Sequence, residues 1–327
     1  MKSGNKIAFS GVKPTGLPHI GNYFGAMKQV VDLQNNYNCY FMIADYHGLN
    51  HIQNKAEMSD LIVSLATDFL AIGIDPKKSI IFKQSDVFAH TELAWIFDTI
   101  TTMPYLMRAH AFKDAEAKNK EISVGTFNYP ILMAADILLY NTDLVPVGQD
   151  QKQHIEITRD VADKFNHTFG KTFKLPEPLI LENVAVVPGL DGQKMSKSYN
   201  NTIPLFADNE TITRAVMSIK TDSKGVSEPK DPENDTIFTL NKLFANESQL
   251  SEIRERYVKG EIGYKESKEI LLRNVISFIE PLREKRRLIA ADHDTVLDII
   301  KEGGEKARLT ADKKLAEVRE AIGVSLH

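Results

Sequence analysis

Short, continuously apolar runs separated by helix-length amphipathic stretches fill the first two hundred residues of this chain. The runs are Lys6–Ser10, ending at Gly11, then Cys39–Ala44, Ser79–Lys83, Leu144–Val147 and Val184–Val187. Runs of this length without alternation are expected of parallel strands covered on both faces. Between the first two, Gly21 to Tyr37 repeats with helical period, Phe24, Met27, Val30, Val31 and Gln34 marking one side. Met58–Ile72 is a second amphipathic helix, closed by Gly73 and Pro76. A helix-length gap between apolar strands is the crossover that parallel pairing requires. The pattern predicts an α/β fold, a doubly wound parallel sheet with inserted helices.

Beyond about Asn201 the strand-like runs stop. Helical periodicity takes over in Thr211–Ile219, Ile237–Phe244, Ser251–Tyr257, Tyr264–Ala290, Val296–Lys301 and Gly304–Ile322. A polar stretch with Gly225, Pro229 and Pro232 separates the first of these helices from the rest. Two domains are expected: residues 1–200, Rossmann-like, and residues 201–327, mainly helical. A chain of 327 residues can bury a core in each.

Composition narrows the class. No apolar run approaches the ~20 residues needed to cross a bilayer, and residues 1–6 run into the first strand without an apolar leader. The expectation is a cytoplasmic protein with no membrane partner. The single cysteine, Cys39, sits inside an apolar run and reads as core. A net charge of −4 argues against a protein that coats nucleic acid nonspecifically, but local basic surface is what sets phosphate affinity. Arg283, Lys285, Arg286 and Arg287 form one such cluster, readable equally as a solvated helix face.

Candidate chemistry lies at two separated segments. Pro14-Thr15-Gly16-Leu17-Pro18-His19-Ile20-Gly21-Asn22 occupies the handover from first strand to first helix, where free N–H groups and the helix dipole favour an anion. Gly21 would let a nucleotide lie close to the backbone, and His19 and Asn22 could donate to triphosphate oxygens. The alternative is a plain turn with a helix-capping Asn22. Lys194-Met195-Ser196-Lys197-Ser198 follows the turn Pro188–Gly192 and carries two ammonium groups on a glycine-tethered loop. Such groups suit charge that develops as pyrophosphate leaves.

In this order the two segments resemble the signature pair of class I aminoacyl-tRNA synthetases. Tyr129-Pro130-Ile131-Leu132-Met133-Ala134-Ala135-Asp136, then Val145-Pro146-Val147-Gly148-Gln149-Asp150-Gln151, together with Asp45-Tyr46-His47, narrow the resemblance to tryptophanyl-tRNA synthetases of the short bacterial type, over nearly the whole chain. An indole offers one N–H donor, so its pocket needs one acceptor among apolar walls. Met133 and Asp136, three apart, share a helix face. The resemblance implies that Asp136 accepts from the indole nitrogen, with Phe9, His47, Met133, Val145 and Val147 as walls. It implies Tyr129 and Gln151 on the substrate ammonium. Lys13, Pro14, Thr15, Gly21, Asn22, Gly148, Gln149, Asp150, Val186 and Lys194 to Ser198 (with Met195, Ser196 and Lys197) fall to ATP. Lys194, Lys197, His19 and Asn22 are the catalytic set. Asp150 is also a plausible N-cap of the following helix.

Lys13 departs from the glutamine common in the family. A lysine can only donate, so it is expected to face phosphate or carboxylate rather than the substrate amine. The resemblance further implies ATP with substrate-borne Mg²⁺ and no protein-held metal, L-tryptophan and tRNA(Trp) as partners, a homodimer, and anticodon reading by the helical domain. Deleting that domain is then expected to spare some ATP–pyrophosphate exchange. Three rivals stay open: a tyrosyl-tRNA synthetase, disfavoured by Met133 where a phenol would want a polar partner; a small nucleotidyltransferase, disfavoured by Asn22 where a second histidine would stand; and a catalytically silent tRNA-binding paralogue.

Overall fold

The computed structural model describes residues 6–109, 112–113, 116, 122–148, 151–180 and 187–326. Five strands form one parallel sheet: β1 (Ile7–Val12), β2 (Asn38–Ile43), β3 (Ser79–Lys83), β4 (Leu144–Val147) and β5 (Glu177–Ile180), in the order β3-β2-β1-β4-β5. The β1–β2 register pairs Ile7 with Asn38 through Val12 with Ile43. The order reverses between β1 and β4, which opens a crevice beyond their carboxyl ends. Asp143 pins that junction, its carboxylate accepting from the Ile7 N–H at 2.8 Å and its own N–H donating to the Ile7 carbonyl at 2.9 Å. The expected fold class is therefore present.

The expected fifth strand, Val184–Val187, lies outside the described residues apart from Val187, and the described fifth strand is Glu177–Ile180. Its sequence, EPLI, opens on a charge and a proline, so it carries no apolar run. The helix expected from Gly21 is interrupted: Ile20–Asn22 passes through a π-helical turn, Tyr23–Met27, into Lys28–Leu33.

By contacts the chain divides into two compact units. The first comprises Met1–Gly16, Val30–Glu182 and Asp292–His327 and holds the sheet. Its core gathers Phe9, Tyr40, Phe82, Phe97, Ile131, Tyr140 and Phe165 with Ala307, Ala311 and Leu315. The last three lie on the 29-residue helix His293–Ala321, which replaces the two helices expected there. That helix lies against β3 so closely that a Cβ at Gly303 would stand 1.8 Å from the Ile81 carbonyl oxygen. The glycine pair permits contact rather than ending the helix, so the break expected at Gly303–Gly304 is absent. The division also differs from a single boundary after residue 200.

The second unit comprises Leu17–Gln29 and Asn183–Ala291. Its helices Asn209–Met217, Thr236–Asn241, Glu247–Lys259 and Tyr264–Ala291 surround Phe238, Ile253, Tyr257, Ile262 and Ile270. Phe24, Phe244 and Phe278 pack together at centroid distances of 5.2–5.3 Å, which secures the segment carrying the first motif.

Candidate active site

In the first unit, the carboxyl ends of β2 and β3 and the helix Val124–Leu138 converge on one carboxylate. Asp136 is 1 % exposed. Gln84, directly after β3 and 0 % exposed, donates through Nε2 to both carboxylate oxygens, at 2.8 and 3.0 Å. Its Oε1 accepts from the Tyr46 N–H at 3.1 Å, which fixes which way the amide points. His47, following β2, places Nε2 2.8 Å from Oδ2, and His90, on the helix Ala89–Ile100, places Nδ1 2.5 Å from Oδ1. Burial would push the Asp136 carboxyl up, yet His90 and His47 outweigh it and hold the group down at about 2. The result is a buried acceptor held by three polar side chains.

Packing alone does not account for an acidic residue here, because an unpaired buried carboxylate is costly. The other residues assigned to the amino acid stand in the same unit. Phe9 on β1 stacks on Tyr140 at 5.5 Å and 17°. Val145 and Val147 on β4 are buried, and Met133 is half-buried against the core. The Tyr129 hydroxyl lies 2.7 Å from His154 Nε2. Gln151 is exposed at the start of the helix Lys152–Phe169. Gly148 follows β4 at the crevice, while Gln149, Asp150 and Val186 lie outside the described residues, and with them the N-cap role of Asp150; the N-cap position is Gln151, without a side-chain cap bond.

The nucleotide motifs divide between the units. Lys13, Pro14 and Thr15 close β1 in the first, Pro14 packing on Gly48, where a Cβ would meet its ring at 3.4 Å. In the second, His19 caps the helix: its Nδ1 accepts from the Asn22 N–H at 3.3 Å, and Asn22 Oδ1 accepts from the His19 N–H at 3.1 Å. The cap is thus histidine, with Asn22 answering it three residues on. Burial and the nearby Lys197 lower His19 to about 4, so its ring is neutral at neutral pH.

Lys194–Ser198 lies beside this cap. A Cβ at Gly21 would stand 3.2 Å from the Met195 Cβ and 2.9 Å from the His19 ring, so Gly21 admits protein rather than only ligand. Lys194, Lys197 and Ser198 are exposed, while Met195 is buried. Asn201, 2 % exposed, staples the loop: Oδ1 accepts from the Ser196 N–H at 2.8 Å, and Nδ2 donates to Asp191 Oδ1 at 2.7 Å and to the Lys194 carbonyl at 3.2 Å. In the basic cluster, Arg283 donates to the Ala207 carbonyl, Arg287 pairs with Glu284 and Arg286 lies over Phe206.

Gln84, His90 and Asn201 were not singled out by sequence. The available signal was weak: Gln84 and His90 are polar residues abutting apolar runs, and Asn201 follows the lysine-serine loop by three residues.

Residues 1–280 match the model of tRNA synthetases class I (W and Y). A tryptophan–tRNA ligase of Fusobacterium nucleatum is 47 % identical over 320 residues, covering 98 % of both chains. One from Rhodopirellula baltica is 45 % identical over 315 residues, covering 96 % of this chain and 98 % of its own. A crystal structure of tryptophanyl-tRNA synthetase from Campylobacter jejuni, complexed with ADP and tryptophan, superimposes with a TM-score of 0.92 at 44 % identity, covering 97 % of this chain and 99 % of that one. The chain belongs to the class I tRNA synthetases for tryptophan and tyrosine and, within them, to the tryptophanyl-tRNA synthetase family.

Proposed function

We propose that this chain activates L-tryptophan with ATP to tryptophanyl-adenylate and transfers the acyl group to tRNA(Trp), releasing AMP and pyrophosphate. The observation that carries this reading is the buried carboxylate of Asp136, held by Gln84, His47 and His90 in the unit whose core includes Phe9, Val145 and Val147. The substrate carboxylate is already ionised at neutral pH, so it attacks the α-phosphorus without a general base. Phosphorus–oxygen bond formation to the carboxylate accompanies loss of pyrophosphate. Catalysis is positioning and charge stabilisation. His19, neutral and committed to the cap, orients rather than neutralises, and Lys194 and Lys197 supply the positive charge.

Mg²⁺ enters with ATP as part of the substrate. Anticodon reading falls to the helical region from about Asn201 onward, a reading supported by the family resemblance. The homodimer is supported by large exposed apolar side chains on the first unit, with Trp95 at 70 %, Phe88 at 70 % and Met103 at 66 %. Cytoplasmic residence accords with translation chemistry, and no helix among the described residues is long and apolar enough to cross a membrane.

Amino-acid-dependent ATP–pyrophosphate exchange, run with each amino acid in turn, tests the reading. Tryptophan should be fastest by orders of magnitude. A maximum with tyrosine, or exchange independent of amino acid, would sink it.

A further inference from the structure

Asp136 is not held by chance contacts; the groups around it have their protons fixed. An ionised carboxylate only accepts, so His90 carries its proton on Nδ1. The other ring nitrogen, Nε2, lies 2.9 Å from the Tyr140 hydroxyl and accepts from it in the single tautomer proposed below. Burial and the Asp136 charge raise Tyr140 well above the ordinary phenol value, so it keeps its proton and donates it to His90. The order is therefore Tyr140 Oη–H to His90 Nε2, then His90 Nδ1–H to Asp136 Oδ1. His90 and Tyr140 are both 0 % exposed. Gln84, whose amide direction is set by the Tyr46 N–H, spans both oxygens, and His47 takes Oδ2. A carboxylate offers about four lone-pair directions. The three donors make four contacts, two at each oxygen, so an indole N–H takes its place by sharing or displacing the Gln84 bond that spans both.

Tyr140 also belongs to the wall. Its ring stacks on Phe9 at 5.5 Å and lies 4.6 Å from Tyr40, whose hydroxyl is 3.1 Å from Thr310 Oγ1 on the helix His293–Ala321. The same side chain that sets the His90 tautomer therefore contacts an apolar wall residue of the amino-acid pocket.

We propose that His90, locked in one tautomer by Tyr140, is a positioning residue that sets recognition of the indole N–H through Asp136, and so sets selectivity for tryptophan over ligands lacking that donor. The inference rests on the assignment of Asp136 as the indole acceptor. Loss of the His90 donor removes a neighbour that keeps Asp136 ionised and leaves one carboxylate oxygen underheld, so the acceptor weakens specifically toward an N–H. A ligand of the same shape without the N–H does not feel that change.

The test is exchange kinetics on the full chain with L-tryptophan and with its benzothiophene analogue, in which sulfur replaces the indole N–H. The unsubstituted protein should prefer tryptophan by ~10²-fold or more, as sites built around a polar atom do. His90→Phe should lower kcat/KM for tryptophan by ~10–100-fold while changing that for the analogue by less than about threefold, with KM for ATP unmoved. His90→Asn, which can return a donor toward Oδ1, should recover part of the preference. Tyr140→Phe keeps the ring and removes only the hydroxyl; it should lower the preference in the same direction by a smaller factor. Equal losses for both amino acids in His90→Phe, an intact preference in Tyr140→Phe, or no recovery in His90→Asn would overturn the proposal. Should His90→Phe not fold, the other two variants decide it. If the unsubstituted protein itself fails to distinguish tryptophan from the analogue, the acceptor assignment falls first, and that result is separate from any effect of His90.

Discussion

The acceptor niche of the first unit and the lysine-bearing loop of the second solve opposite problems. Around Asp136 every donor is buried, and two of the three, Gln84 and His90, meet a further partner. The Lys194–Ser198 loop keeps its backbone in place through one buried asparagine and turns its ammonium groups outward. A buried, crosslinked acceptor discriminates between ground-state ligands, because a missing partner leaves a desolvated group unsatisfied. Solvated cations on a short loop gain little from a resting ligand and more from charge that appears during reaction. On the proposed reading, selectivity and rate reside in different parts of this chain, and separate substitutions should break them separately.

The largest effect should come from the loop. Lys197→Ala is expected to slow adenylate formation by ~10²–10³-fold with the Michaelis constant for tryptophan almost unchanged, and Lys194→Ala to act similarly. A rise in that constant alone would show that the loop serves binding. Next comes the niche: Asp136→Ala should lower kcat/KM for tryptophan by ~10²-fold and reduce discrimination against phenylalanine, while Asp136→Asn, which can turn a carbonyl to the indole, keeps part of both. Lower thermal stability with an unchanged preference would mean that Asp136 only braces the fold.

A milder change probes the staple. Asn201→Ala leaves the Ser196 N–H and the Lys194 carbonyl without their buried partner, so exchange should fall about tenfold through the ATP-dependent terms. An equal fall in tryptophan affinity would sever the link drawn here between Asn201 and the loop. Smallest is the effect of His19, lowered from 6.5 to about 4. Below pH 6.5 the unfolded chain takes up a proton that native His19 refuses until about pH 4, so native stability declines as pH falls through that window. His19→Asn keeps a capping side chain without the titration, and its melting temperature should decline less steeply over the same range.

Much of this contrast was legible beforehand, and what was hidden had physical reasons. β3 and β4 coincide with their apolar runs, since a strand buried on both faces has little choice of composition. β5 was hidden by its glutamate and proline. Asp136 stood out because an acid within an apolar helix needs an explanation. Gln84 and His90 gave no such signal: each is a single polar residue whose partner lies 52 or 46 positions away, and only folding brings them together. Gly303 and Gly304 misled because glycine weakens an isolated helix, whereas here the missing side chains are what allow the helix to meet β3.

That last helix has a consequence for the making of the protein. Residues 293–321 cover β3 and brace Tyr40 through Thr310, yet they are synthesised after the whole 183–291 excursion of the second unit. While a ribosome is still translating, the sheet waits with one edge uncovered, and the first unit must close last although its strands emerge first. A chain released early, at residue 200 for instance, therefore lacks a wall of the unit expected to bind tryptophan, and the residual exchange anticipated for such a fragment should be lost with it.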